Sequence, residues 1–304
     1  MTVSVIIPTY NGGHKLPKLL KALEHQTFKG FELLIVVDGS TDSTIEVLKN
    51  LQSTLPFTVI EQTNKGRAAV RNNGAKAAKG QLLIFFDDDM MPLDDCVEKH
   101  FYHHQQHPVS ILTGGLQEPI DKNTPDFSIY KSFLSKKWTD QLESIKDGLL
   151  KPESIFLTAA NFSISRQTFL AIGGFDEQLF DAEDFDLAVR AAKAGVYLYF
   201  KPNVFAWHHD IINCSTYIRR QRQYTMSHQK LVELKPWLKK EDFIRPLQKP
   251  EGFKRWVFLL FCFRSWIKAS DKGLLRFLPK KVRYRVYDLI VTANGVFFPE
   301  KVPL

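Results

Sequence analysis

The sequence predicts an α/β fold organised on a mostly parallel central sheet flanked by helices. Short apolar runs recur at Val3–Ile7, Phe31–Val37, Phe57–Ile60 and Leu82–Phe86, and the segments between them place apolar residues at helical spacing. Strands alternating with helices in this rhythm form crossover units, and crossovers impose parallel pairing. The fourth run ends in Asp87-Asp88-Asp89. Ligands of open α/β sheets bind at the carboxyl ends of strands, so the chemistry is expected there.

Taken in order, the first strand stops at Pro8-Thr9-Tyr10-Asn11. Gly12-Gly13 then turn the chain into a helix with Leu16, Leu19, Leu20 and Leu23 on one face. The second strand ends in Asp38-Gly39-Ser40-Thr41-Asp42, where Ser40 and Asp42 are candidate caps for a helix burying Ile45, Val47, Leu48 and Leu51. After the third strand, Asn64-Lys65-Gly66-Arg67 leads into a small-residue helix, Ala68–Ala78. The ends at Pro8-Thr9-Tyr10, Asp38-Gly39-Ser40 and Asp87-Asp88-Asp89 gather along one sheet edge. Neither a Gly-x-Gly-x-x-Gly fingerprint nor a Walker A loop is present. A nucleotide would therefore be held by side chains and a metal rather than by a glycine cradle.

At 304 residues and 44% hydrophobic, the chain suits one large domain with an appendage. Cys96, Cys214 and Cys262 are odd in number and widely spaced, which offers no disulfide framework or zinc pattern and favours a reducing compartment. Met1 runs directly into the first strand, so no secretory leader is expected. The net charge of +8 is uneven: Lys235 to Leu304 holds 16 Lys/Arg against 6 Asp/Glu, and residues 1–234 hold 25 against 27. That distribution argues against a nucleic-acid-binding body and for a tail that meets an anionic surface.

Two acidic clusters carry the chemistry. Three adjacent carboxylates repel one another, and oxygen ligands of this kind suit Mg²⁺ or Mn²⁺ completed by substrate phosphates; an acidic loop is the plain alternative. Asp181, Glu183, Asp184 and Asp186 fall near the first turn of a predicted helix, where negative charge also compensates the helix dipole.

The set Ser4-Val5-Ile6-Ile7-Pro8-Thr9-Tyr10-Asn11, Val37-Asp38-Gly39-Ser40-Thr41-Asp42, Asn64-Lys65-Gly66-Arg67 through Arg71-Asn72, and Asp87-Asp88-Asp89 resembles family 2 glycosyltransferases of the GT-A, Rossmann-like fold. The likeness continues through Asn161 to Arg166, Ile172 to Glu177, Asp181-Ala182-Glu183-Asp184-Phe185-Asp186-Leu187 and Trp207-His208-His209. It covers roughly residues 1–230, with a nucleotide-binding half to about 115, an acceptor half from about 116 to 230, and a basic helical extension over 231–304.

That resemblance implies an inverting enzyme that moves one sugar from a nucleotide-diphosphate donor, UDP favoured, to a glycan or lipid-linked acceptor, in cell-envelope polysaccharide synthesis. By similarity, Pro8, Thr9, Tyr10, Asn11 and Asp38 surround the base, and Arg67 lies near the base or phosphates. Asp89 is then the metal ligand, Asp87 serves the ribose or a metal-bound water, and Asp88 points elsewhere. His208, preferred over His209, completes the metal site. Asp184 is the general base and Glu183 orients it or the acceptor. Gly114-Gly115 suits close backbone approach to the sugar or an ordinary turn, and Asn161 is expected beside the acceptor or sugar. Arg222, in the arginine-rich segment 219–222, is a candidate to close over the diphosphate. Gln221-Arg222-Gln223-Tyr224 departs from the Gln-x-x-Arg-Trp pattern of processive synthases, which implies single-sugar transfer.

The tail mixes aromatic and basic residues at 253–268 and 274–285, and its longest apolar stretch, Trp256–Phe263, is far shorter than the roughly 20 residues a bilayer span needs. Such segments lie on anionic membranes, here the inner face of the plasma membrane; a helical lid or a homodimer contact is the alternative. Two rivals to the transferase reading are a nucleotidyltransferase, which would carry a glycine-rich Arg/Lys loop after the first strand, and a catalytically silent GT-A scaffold.

Overall fold

The computed structural model describes residues 1–143, 145–151, 154–244 and 247–302. The chain divides into two compact units, Met1–Glu118 with Lys137–His209, and Pro119–Lys136 with Asp210–Leu304. The motifs put a boundary at 230 and treat the tail as an appendage. The compact first unit closes at His209, and residues 119–136 cluster with the tail.

The first unit holds an eight-stranded sheet. Its strands are β1 (Val3–Thr9), β2 (Phe31–Asp38), β3 (Phe57–Gln62), β4 (Leu82–Phe86), β5 (Met90–Pro92), β6 (Ser110–Gln117), β7 (Asn161–Ser165) and β8 (Tyr197–His208), in the order β3-β2-β1-β4-β7-β6-β8-β5. β1 pairs in parallel with β2 and β4, and β2 with β3. The antiparallel β7 is inserted between β4 and β6, and the short β5 runs antiparallel to the end of β8. All seven residues of β1 are buried, as a strand covered on both faces requires.

Alternate residues of the strands serve two cores. On one face Ile6, Leu34, Val36 and Phe85 pack with α3 (Arg67–Ala77) and α7 (Glu183–Lys193), and Phe85 stacks on Phe162 with ring centres 4.7 Å apart. On the other, Val5, Ile7, Ile84 and Phe86 pack against Leu16, Leu19, Leu20 and Leu23 of α1 (Leu16–Glu24) and against Cys96 and Val97 of α4 (Cys96–Gln106). α2 (Thr44–Asn50) and α6 (Arg166–Ala171) complete the layers. Each fully buried Leu or Phe contributes about 2 kcal/mol.

β6 and β8 pair in parallel, with a register shift at Gly114/Gly115 where Pro202, Asn203 and Val204 bulge out of β8. A Cβ on Gly114 would lie 2.2 Å from the Val204 carbonyl oxygen, and one on Gly115 2.4 Å from that of Pro202. These glycines therefore admit the backbone of a neighbouring strand, not a donor sugar. Asn161 locks the bulge: its Nδ2 donates to the carbonyls of Gly115 (3.0 Å) and Val204 (2.9 Å), and its Oδ1 lies 3.0 Å from His100 Nε2. Its side chain is fully buried, which corrects the expectation that it borders the sugar or acceptor.

The second unit has a core of its own. It includes α5 (Asp126–Glu143) up to Lys136, then α8 (Cys214–Leu234), α9 (Trp237–Lys240), α10 (Gly252–Leu259), α11 (Arg264–Asp271) and α12 (Lys280–Thr292). Phe127, Tyr130, Ile218, Ile267, Tyr284 and Tyr287 are buried together there. Asp126 accepts from the Tyr287 hydroxyl at 2.6 Å and pairs with Arg283 at 3.2 Å, which explains why residues 119–136 belong with the tail. Cys96, Cys214 and Cys262 are buried free thiols. Among the described residues no helix is long and apolar enough to cross a membrane.

Candidate active site

β4 delivers the three aspartates to the carboxyl edge of the sheet, and each meets its own set of partners, Lys15 being shared by two of them. Asp88 turns inward: Thr9 Oγ1 donates to its Oδ2 at 2.7 Å and Lys15 Nζ lies 3.0 Å from Oδ1. Burial pushes its carboxyl above the usual range against the opposing pull of Lys15. The Thr9–Asp88 contact exists because residue 12 is glycine. A Cβ there would sit 2.2 Å from Thr9 Oγ1 and 2.3 Å from Asp88 Oδ2.

Asp89 faces two groups. Lys15 Nζ is 3.2 Å from its Oδ2, and His208 Nε2 is 3.5 Å from its Oδ1. β5 brings this about by setting Met90 opposite His208, while the His209 amide donates to the Asp89 carbonyl at 2.9 Å. Burial alone would raise the Asp89 carboxyl, but His208 and Lys15 outweigh it and hold it far below the ordinary range. Asp89 Oδ1 is buried without a hydrogen-bond partner. Glu118 Oε1 stands 3.8 Å from the other ring nitrogen of His208.

Asp87 belongs to a second constellation. Arg71, buried on α3, donates through Nη2 to Asp87 at 2.6 Å and through Nη1 to Glu183 at 2.8 Å. Burial opposes its charge, yet the two carboxylates prevail and raise its pKa, so the guanidinium stays protonated. The sequence motifs included Arg71 but assigned it no role, and they did not single out Lys15 at all. Only the long-range pairing reveals either.

Asp184 follows Glu183 in the first turn of α7, and its Oδ1 accepts from the Phe185 amide at 2.7 Å. Burial first, and then the Glu183 charge, push its carboxyl up to about 7, against the pull of Phe185 N–H and Arg71. The preceding Ala182 is in the left-handed region (φ 65°), and Asp181 accepts from its amide at 2.9 Å. A non-glycine residue there stores strain at the start of the helix. The exposed Arg67 reaches Asp181 at 3.8 Å.

The remaining residues singled out from sequence are distributed as follows. Pro8 and Thr9 are buried at the end of β1, and Tyr10 is half exposed beside them. Asn11 Oδ1 accepts from the amides of Thr41 (2.8 Å) and Asp42 (3.3 Å), so it joins the loops after β1 and β2. Asp38 accepts from Gln62 Nε2 (2.7 Å) and from the amides of Lys65 (2.8 Å) and Gly66 (2.9 Å). Those bonds shape the loop before Arg67. Arg222 lies in the second unit and donates to the carbonyls of Asn294 (2.9 Å) and Val302 (2.8 Å), so its guanidinium is used within that unit.

Among the described residues, no three His, Cys, Asp or Glu side chains form a ready-made metal cluster. The orphaned Asp89 Oδ1 facing His208 Nε2 nevertheless fits two ligands of one divalent cation. A hard cation of this kind takes its other ligands from water and substrate phosphates.

The profile of the family "Glycosyl transferase family 2" matches residues 4–173. An uncharacterized glycosyltransferase of Bacillus subtilis (strain 168), YfnE, is 30% identical over 258 residues, covering 69% of this chain and 65% of the relative. This chain thus spans a little under two thirds of that relative's length. The crystal structure of S. aureus TarS 1-349 in complex with UDP aligns with a TM-score of 0.56 at 19% identity, covering 96% of this chain and 90% of that one. The mannosyltransferase PcManGT from Pyrobaculum calidifontis, in complex with GDP-Man and Mn²⁺, aligns at 0.59 and 17% identity, covering 98% and 88%. These likenesses establish the GT-A type of fold. With more than half its length matched by the family profile, the chain belongs to glycosyl transferase family 2.

Proposed function

We infer that this chain is an inverting, metal-dependent, non-processive glycosyltransferase. It moves one sugar from a nucleoside-diphosphate sugar, with UDP favoured, to a hydroxyl of a glycan or lipid-linked acceptor. The observation that carries the reading is the Arg71 bridge, which ties the Asp87 end of the aspartate triad to the helix start bearing Asp184. Donor-side and acceptor-side elements are thus joined through one buried guanidinium.

Each group then has a task. The end of β1, with Pro8, Thr9, Tyr10 and Asn11, and the Asp38-organised loop with Arg67 form the walls against the nucleotide. Asp87, oriented by Arg71, accepts from the ribose hydroxyls. Asp89 and His208 hold the cation, and a bound Mn²⁺ or Mg²⁺ supplies Lewis-acid stabilisation of charge on the departing diphosphate. Asp184, with its carboxyl poised near 7, accepts the acceptor's proton as the hydroxyl oxygen attacks from the face opposite the diphosphate. Glu183 is fixed by Arg71 and sets the position of Asp184. TarS with UDP supports a UDP-sugar, while PcManGT with GDP-Man and Mn²⁺ supports the metal and keeps GDP in view.

The second unit supports a peripheral position on the cytoplasmic face of the membrane, where lipid-linked acceptors of cell-envelope synthesis reside. On α10 and just beyond it, Phe253, Trp256 and Leu260 fall on one helical face and are exposed, and exposed Lys254 and Arg255 flank them.

A thermal-shift panel with UDP, GDP, CDP and TDP, each with and without Mn²⁺, tests the donor assignment. Stabilisation by one nucleotide that requires Mn²⁺ and disappears in Asp89→Ala is the expected result. Metal-independent stabilisation that survives Asp89→Ala would remove the metal site from the account.

A further inference from the structure

Lys15 precedes α1, and its backbone is fixed by hydrogen bonds that the Lys15 and Leu16 amides donate to the Gly12 carbonyl at 2.9 and 3.1 Å. Its side chain spans two carboxylates of the aspartate triad, at 3.0 Å from Asp88 and 3.2 Å from Asp89. One third of that side chain is open to solvent, so the ammonium has a way out. Asp87, Asp88, Asp89 and Glu183 put four carboxylates at this edge; Arg71 and Lys15 pair with them, and His208 also faces Asp89. Arg71 is buried and held by Asp87 and Glu183, whereas Lys15 holds the very carboxylate assigned to the metal.

We propose that Lys15 is a resident counter-ion that gates metal loading, releasing Asp89 to a divalent cation only when a diphosphate arrives to receive its ammonium. The inference rests on the metal-dependent reading of the site. A divalent cation arriving alone must share Asp89 with an ammonium in contact with that carboxylate, and like charges at such a distance repel. A cation arriving with a nucleoside diphosphate brings its own anionic oxygens. Lys15 then swings from carboxylate to phosphate without losing an ion pair, and partly exposed pairs of this kind exchange readily. Metal and donor binding are thereby coupled, and the coupling is reciprocal. Lys15 acts here as a positioning residue, through Asp89.

Mn²⁺ binding, read from the electron paramagnetic resonance signal of free Mn²⁺, tests this without any turnover. In the wild-type protein, the nucleoside diphosphate that binds should raise Mn²⁺ affinity by about tenfold or more. Lys15→Met and the polar, uncharged Lys15→Gln should each bind Mn²⁺ without nucleotide about tenfold more tightly than wild type, and the nucleotide should then add little. Lys21→Met, which removes an exposed charge from the same helix, should behave as wild type. Nucleotide-free affinities of both Lys15 variants within about twofold of wild type would overturn the gate while leaving metal dependence intact. If the wild type binds no Mn²⁺ with UDP, GDP, CDP or TDP, the metal-dependent reading itself fails and the gate falls with it.

Discussion

Arg71 and Glu183 meet at 2.8 Å across 112 residues of sequence, both buried, and the same guanidinium holds Asp87 at 2.6 Å. The pairing makes α3 a strut between the end of β4 and the start of α7. It also sorts the two carboxylates of the Glu-Asp pair. Glu183 is occupied by a permanent cation, and Asp184 is left with a carboxyl that gains and loses a proton near neutrality.

Removing one partner of a buried pair leaves an uncompensated charge. Arg71→Met is expected to destabilise the fold by about 3–5 kcal/mol. Adding Glu183→Leu should recover much of that loss, because two apolar groups then replace the pair. Urea unfolding of the two variants checks this; a double variant no more stable than Arg71→Met would show that Glu183 is not the stranded charge.

Asp184 works as a base only when deprotonated. Transfer should therefore fall as pH drops below about 7, approaching tenfold per unit. Asp184→Asn should lack this limb and lose about 10²–10⁴-fold in rate while keeping donor affinity. The same shift bears on stability. A carboxyl raised in the folded state costs nothing below its unfolded value of 3.8, and its cost grows as pH rises towards about 7. Asp184→Asn should raise Tm by a few degrees at pH 8 and leave it unchanged at pH 4, which scanning calorimetry at the two pH values would show.

Gly12→Ala tests the close approach of Thr9 and Asp88. The added methyl would sit on both oxygens, so their 2.7 Å bond must break and Asp88 must move. A destabilisation of about 1–3 kcal/mol is expected, with a larger proportional loss in metal-assisted nucleotide binding. Calorimetry with UDP and Mn²⁺ separates the two effects.

Much of this was readable from the chain alone. β1, β2, β4 and α7 announced themselves because their apolar periodicity is local, and the acidic clusters fell at strand and helix ends where side chains meet ligands. The rest depended on contacts that leave no local trace. Lys15 reaches Asp88 across 73 residues, and nothing in Gly-Gly-His-Lys-Leu marks it as a partner. Asn161 falls in the family pattern and Gly114-Gly115 read equally as a close approach or a turn, but their work is to hold a bulge between β6 and β8, which sequence alone cannot distinguish from sugar contact. The association of residues 119–136 with the tail rests on Asp126 meeting Tyr287 and Arg283, again a long-range match of single polar groups.

The exposed face of α10 makes a separable prediction. Phe253→Ser with Trp256→Ser should reduce co-sedimentation with vesicles containing anionic lipid by about tenfold and leave nucleotide binding unchanged, since the site lies in the other unit. Equal sedimentation of wild type and variant would remove these side chains from membrane binding.

The central claim, single displacement with Asp184 as the base, is tested most directly by watching the released sugar. With water as the acceptor, the protein should slowly hydrolyse its nucleotide sugar. Proton NMR of the first product should show the anomer opposite to that of the donor before mutarotation, and Asp184→Asn should release almost none. The donor's own anomer appearing first, or undiminished hydrolysis by Asp184→Asn, would contradict the account.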